Sequence, residues 1–188
     1  MSTWPPQPPY HHGNLPAALL AAAERLLREH GPAGLSLREV ARQAGVSHNA
    51  PYRHFPTREA LLAALAAEGF HRLDAVLREA AASAAQTGEA PLLPLGRAYL
   101  RFAAAHPALY RLMFGAGPRK DEHPALRAAA APAFATLAAC TPDRQAAIGA
   151  WALVHGLAQL LQDGQVAEEL VGPELIEAVL GRYVRGGA

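Results

Sequence analysis

Cysteine, lysine and serine are scarce in this chain of 188 residues, and each shortage removes a class of function. The single cysteine, Cys140, cannot form a disulfide within the chain and supplies no zinc set, which fits a reducing cytoplasm. One lysine, Lys120, and four serines (Ser2, Ser36, Ser47 and Ser83) leave few covalent nucleophiles, and Ser36 and Ser47 stand where helix caps belong. An enzyme working through Ser, Cys or Lys is therefore not expected. The nine histidines do not make a metal site either. Adjacent His11 and His12 cannot converge on one helix face, no HExxH occurs, and Glu68 with His71 forms a single ExxH where a di-iron bundle needs two plus two further Glu. No cofactor and no metal are expected. The start of the sequence shows neither a basic nor an apolar leader segment. The uncharged stretch from Gln145 to Gln162 also carries His155, Gln159 and two glycines, so it reads as a buried helix, not a membrane span.

What is present is apolar and helical. Hydrophobic residues make up 51% and charged residues 18%, the balance of a folded chain. Charge is unevenly spread. Residues 1–72 hold 7 Arg, 5 Glu and 6 of the 9 His, whereas the remainder is slightly acidic. No period-two strand pattern and no fixed-period repeat is visible, so the expected class is all-α, with about nine helices.

Residues 1–13, rich in proline, read as a flexible arm. Asn14 caps a first helix that ends at Gly31-Pro32. Ser36 caps a second, with Glu39 completing a capping box and Leu37, Val40, Ala41 and Ala44 facing inward. Gly45 and Val46 then turn the chain, and Ser47 caps a short third helix ending near Phe55. Thr57 caps a fourth that runs to about Ala85, with Gly69 as its weak point. Further helices follow over 91–105, 107–114, 125–140 (with Pro132 expected to kink or break it), Thr141 to Asp163, and from Pro173. The implied organisation is an arm over 1–13, a three-helix domain over 14–56, and a helical bundle over 57–188.

Two short capped helices on either side of Gly45-Val46 form a helix-turn-helix pattern. The turn needs a residue at ease with positive φ, and glycine is one. An open helix N-terminus at Ser47 would offer N–H groups to phosphate. An ordinary helical corner gives the same turn, so the flanks matter. The stretch LREVARQAGVSHNAPYRHFPTREALLAAL resembles the DNA-binding domain of TetR/AcrR-family transcriptional regulators through Ala44-Gly45-Val46-Ser47, Tyr52, His54-Phe55, Arg58 and Leu61-Leu62. YHHGNL (Tyr10–Leu15) is similar to a subset of that family. HPALYRLMFG (His106–Gly115) and WALVHG (Trp151–Gly156) resemble its C-terminal domain of the Trp-His-Gly type. Pro51 departs from the pattern, since an aliphatic residue is usual there. It removes the first internal donor of a helix begun at Ser47 and crowds the Ser47 carbonyl.

The resemblance implies a one-component regulator of transcription, a repressor released from a palindromic operator by a small apolar effector. Side chains opening the third helix of this motif class enter the major groove. His48 and Asn49 are then the base readers, asparagine pairing bidentately with adenine. Ser36, Ser47, Tyr52, His54 and Arg58 would hold phosphates. Phe55 reads as core. Tyr52 can pack its ring and extend its hydroxyl, and His11 and His12 either touch DNA or are merely exposed. The rival reading is a small-molecule-binding or enzymatic bundle without DNA binding, whose mark would be paired ionisable groups inside the bundle.

The helix from Pro142 to Asp163 is apolar nearly all round, with Gly149 and Gly156 on a smooth strip. It needs cover on every side. A second subunit is one cover and a central place in a monomeric bundle is another; the resemblance implies a homodimer on the last two helices. The expected interface is Gly149, Gly156, Ile176, Val179, Leu180 and Tyr183. The expected ligand lining is Tyr99, Phe102, Met113, Phe114, Trp151 and His155. No acidic residue lies between Pro91 and Phe114, and only Asp143 between Pro142 and Gln162. Such a pocket prefers neutral or weakly anionic apolar molecules to quaternary ammonium ions. The partners expected are thus double-stranded DNA, a second copy and a small effector, with no membrane.

Overall fold

Local capping decides where the helices begin. The Ala17 N–H donates to Asn14 Oδ1 at 3.2 Å and opens α1 (Leu15–His30). The Glu39 N–H donates to Ser36 Oγ at 3.2 Å and opens α2 (Leu37–Gln43). The expected capping box is only half made, because Arg42 takes up the Glu39 carboxylate with its Nε at 2.9 Å. The Ala60 N–H donates to Thr57 Oγ1 at 3.0 Å at the start of α3 (Arg58–Thr87). This computed structural model describes residues 14–115, 117–166 and 172–186. Tyr10, His11 and His12, with the arm expected over 1–13, lie outside the described residues.

The remaining α-helices are α4 (Leu92–Ala105), α5 (Pro107–Phe114), α6 (Pro124–Ala138), α7 (Arg144–Gln162) and α8 (Pro173–Gly186). Among the described residues there are eight, and no strand. The difference from about nine is the segment after Gly45, which holds no α-helix.

One further expectation is corrected. Asp143, not Thr141, caps α7: the Ala146 N–H donates to Asp143 Oδ1 at 2.8 Å, while the Thr141 hydroxyl bonds the Ala138 and Asp143 carbonyls. Pro132 lies inside α6 without ending it. Gly69 does not interrupt α3. A Cβ there would stand 2.5 Å from Met113 Sδ, so the glycine serves a close approach of α5.

The described residues fall into two units that divide between Leu61 and Leu62. In the first, Leu19, Leu26 and Leu27 of α1 are fully buried, with Val40 and Ala41 of α2, Leu35 and Phe55. Each of those leucines contributes about 1.5–3 kcal/mol by leaving water. In the second, α7 packs on α4, α6 and α8, with Ala147, Ala150, Val154, Leu157 and Ala158 inward. Arg97 of α4 clasps Glu177 of α8 through its Nε (2.5 Å) and a terminal nitrogen (2.7 Å). This bidentate pair links α4 to α8.

Candidate functional site

In the first unit α2 ends in a closed turn. Gly45 has φ +68°, the Val46 N–H donates to the Ala41 carbonyl at 3.0 Å, and the Gly45 N–H to the Arg42 carbonyl at 3.2 Å. This is the Schellman arrangement, which satisfies the last carbonyls of a helix through a left-handed residue. The chain leaves it at a fixed angle into residues 47–55.

Those residues are not the short α-helix that the sequence led us to expect. Pro51 has no N–H to give to the Ser47 carbonyl, which instead accepts from Ala50 at 2.9 Å. A single 3-10 turn follows over Pro51–Arg53, and the Pro51 carbonyl accepts from both His54 (2.9 Å) and Phe55 (2.8 Å). Ser47 therefore caps no α-helix, and no helix N-terminus opens there to an anion. The segment hangs on two buried residues, Pro51 and Phe55 (8% exposed). Ser47, His48, Asn49, Tyr52, Arg53 and His54 are all exposed around them. Phe55 is core, as its pattern implied.

Ser36 is exposed at the α2 cap. Arg58 is engaged within the unit. Its Nε donates to the Leu35 carbonyl at 2.8 Å, a terminal nitrogen bonds the Pro32 carbonyl, and Glu59 lies 3.6 Å away. The guanidinium thus ties the 32–35 loop to the start of α3. Sequence reasoning passed over Arg38 and Arg53. Both are exposed and form no ion pair among the described residues, whereas Arg42 is held by Glu39.

The second unit holds a partly open apolar cavity of about 100 Å3. Its wall comes from Phe70, Leu73 and Leu77 of α3, Leu95 and Tyr99 of α4, Phe114 of α5, Phe134 and Leu137 of α6, Trp151 and Val154 of α7, and Leu180 and Tyr183 of α8. Of the six residues expected there, Tyr99, Phe114 and Trp151 line it. The other three do not. Met113 packs against Gly69. Phe102 is buried with its ring 5.1 Å from that of His106. His155 stands behind the wall, its Nδ1 2.7 Å from Tyr110 Oη and 3.0 Å from Tyr99 Oη, with the two hydroxyls 3.1 Å apart.

Burial, with Tyr110 alongside, holds the Tyr99 hydroxyl far above its ordinary pKa. Burial likewise pushes Tyr110 up to about 12. His155 is held below its ordinary value, chiefly by burial and further by the Lys120 charge. The triad is therefore a network of neutral groups at neutral pH.

Three residues expected at a dimer seam are used inside the chain. Tyr183 donates its hydroxyl to the Ala146 carbonyl at 3.2 Å, and its oxygen would stand 2.6 Å from a Cβ on Gly149. Leu180 is buried, 2.7 Å from where a Cβ on Gly96 would lie. Gly149, Leu180 and Tyr183 thus seat α8 on its own neighbours, and the last two line the cavity. Gly156 has open space in front of it. Lys120, on the wall, was missed because it lies on the α5–α6 loop, outside every helical stripe.

A capped helix and a glycine turn leading into an exposed hydrogen-bonding segment, in a chain that also holds an apolar pocket among helices, match the plan of a helix-turn-helix regulator in which a 3-10 turn stands where the second helix was expected. The chain belongs to the TetR family. Residues 19–65 match bacterial regulatory proteins of the tetR family, and residues 92–183 match the tetracyclin repressor-like C-terminal domain. That C-terminal family differs from the Trp-His-Gly type that WALVHG resembles. Regulators of this family bind DNA and are not enzymes.

A protein with unknown function from Rhodococcus sp. RHA1 is 36% identical, with a TM-score of 0.79 over 96% of this chain and 98% of that one. The HTH-type transcriptional regulator Rv1816 of Mycobacterium tuberculosis is 33% identical over 100 residues, 53% of this chain. The match spans 43% of that relative's length, less than half. The TetR family regulator PfmR from Thermus thermophilus shares the fold at 18% identity, with a TM-score of 0.64 over 89% of this chain and 97% of that one. Among the described residues no helix is long and apolar enough to cross a membrane.

Proposed function

We propose that the chain is a one-component repressor that grips a palindromic operator as a homodimer and releases it when a small apolar molecule enters the cavity. The observation that carries this reading is the exposed run Ser47–His54. Six side chains able to hydrogen-bond surround two buried anchors, so the fold does not consume them. His48 and Asn49 read base edges, and Ser36, Ser47, Tyr52 and His54 hold phosphates with Arg38 and Arg53 beside them. Arg58 positions the loop rather than binding DNA.

For the dimer, α7 offers Ile148 (47% exposed), Ala152, Gly156 and Leu160 (49% exposed) at four-residue spacing, one stripe of its surface. Gly156 lets a second helix approach closely there, and Ile176 and Val179 of α8 join the seam. A dimer reads half-sites about 34–36 Å apart. The helix α3 begins in the first unit and ends in the second, so it is the element through which cavity occupancy alters that spacing.

The test is selection of bound sequences from a random DNA pool by the full chain, followed by gel shifts. A palindrome should emerge, and Asn49→Ala should cost about 1–3 kcal/mol on it while relaxing preference at one position per half-site. Recovery of no preferred sequence would leave the chain a small-molecule-binding bundle.

A further inference from the structure

Lys120 is the one lysine of the chain and lies on the cavity wall, in the loop between α5 and α6. Its Nζ sits 4.7 Å from the Phe70 ring centre and 5.5 Å from that of Phe114. The acids beside it in sequence turn away. Asp121 Oδ1 accepts from Arg119 Nε at 3.1 Å, and Glu122 lies 3.2 Å from the same nitrogen. No acidic residue lines the cavity, and Lys120 makes no ion pair among the described residues. Two aromatic faces only partly replace the water that an ammonium loses there. The two tyrosine hydroxyls of the wall are engaged: Tyr99 with Tyr110 and His155, and Tyr183 with the Ala146 carbonyl.

We propose that Lys120 anchors the carboxylate of an amphipathic organic acid whose apolar body fills the cavity. This rests on the reading of the cavity as the effector site. A single cation suits a monoanion. A phosphate dianion would call for a guanidinium fork, and the cavity wall holds no arginine. The body is slim, because the wall touches α3 from Phe70 to Leu77, about 10 Å along the helix, around a volume of only about 100 Å3. Burial holds the lysine below its ordinary pKa, and a bound carboxylate would raise it again.

Three probes sharing one body test this on the full chain by calorimetry: octanoate, octan-1-ol and octylammonium. Octanoate should bind at least tenfold more tightly than the alcohol, with the ammonium weakest. Lys120→Met should remove that preference and leave the alcohol within twofold. A second measurement needs no variant. Reductive methylation with 13C gives one dimethyl-lysine signal, which should move with octanoate and stay with octanol. Equal binding of acid and alcohol, tightest binding of the ammonium, or an unmoved signal overturns the anchor and leaves the cavity reading intact. Failure of all three probes to bind overturns the cavity reading and the anchor with it.

Discussion

Tyr52 in the first unit and the pair Tyr99 and Tyr110 in the second show opposite uses of one side chain. Tyr52 is 45% exposed on a 3-10 turn, whereas Tyr99 and Tyr110 are 5% and 0% exposed with their hydroxyls closed onto each other and His155. The first unit satisfies its main chain by turns and caps and leaves polar side chains outward. The second turns Tyr99 and Tyr110 inward, where with His155 they form a neutral network beside the cavity. The lesson is that exposure, not residue type, separates a reading surface from a scaffold in this chain.

Five substitutions and a pH titration test the comparison. Phe55→Ala should have the largest effect, removing about 3–5 kcal/mol through loss of a buried aromatic. In a thermal scan the first unit should melt early while the second keeps its helicity; a single undivided melt would contradict separate cores. Arg58→Ala should cost about 1–3 kcal/mol in denaturant titration, because the Leu35 and Pro32 carbonyls lose a charged donor. If Arg58 bound phosphate instead, the salt slope of DNA binding would flatten by about one; the tether leaves it unchanged.

Gly149→Ala and Gly156→Ala should diverge. The first drives a methyl toward Tyr183 and destabilises the chain by about 1–3 kcal/mol. The second meets open space and raises helix stability by about 0.5–1 kcal/mol while weakening association in sedimentation. The smallest effect is that of pH. His155 is more basic unfolded than folded, so acid favours the unfolded chain. Stability should fall as pH drops from about 6.5 through the lower folded value, and His155→Gln should flatten that slope.

What the sequence disclosed was whatever a few neighbouring residues decide. Asn14, Ser36 and Thr57 cap their helices as expected because a cap needs only the next three residues. Pro51 was recognised as a missing donor, yet the outcome, a 3-10 turn instead of an α-helix, depended on burial of Pro51 and Phe55 against the rest of the unit. Among the cavity residues, Tyr99, Phe114 and Trp151 stood out as aromatic stripes. Met113 and Phe102 belonged to the same stripes and packed elsewhere, because which side of a helix meets a void is a tertiary fact. Lys120 had no periodicity to betray it. Leu180 and Tyr183 were ascribed to a partner because nothing local marks Gly96 and Gly149 as their seats.

The Schellman turn at Gly45 has one more consequence. It and the bonds from Ala50, His54 and Phe55 are made by the main chain, and the segment is pinned by Pro51 and Phe55 alone. Substitutions at 47, 48, 49, 52, 53 and 54 should therefore leave this turn folded. Grafting another regulator's side chains at those six positions should transplant its operator preference onto this scaffold, so target choice can drift through evolution while the frame beneath it stays fixed.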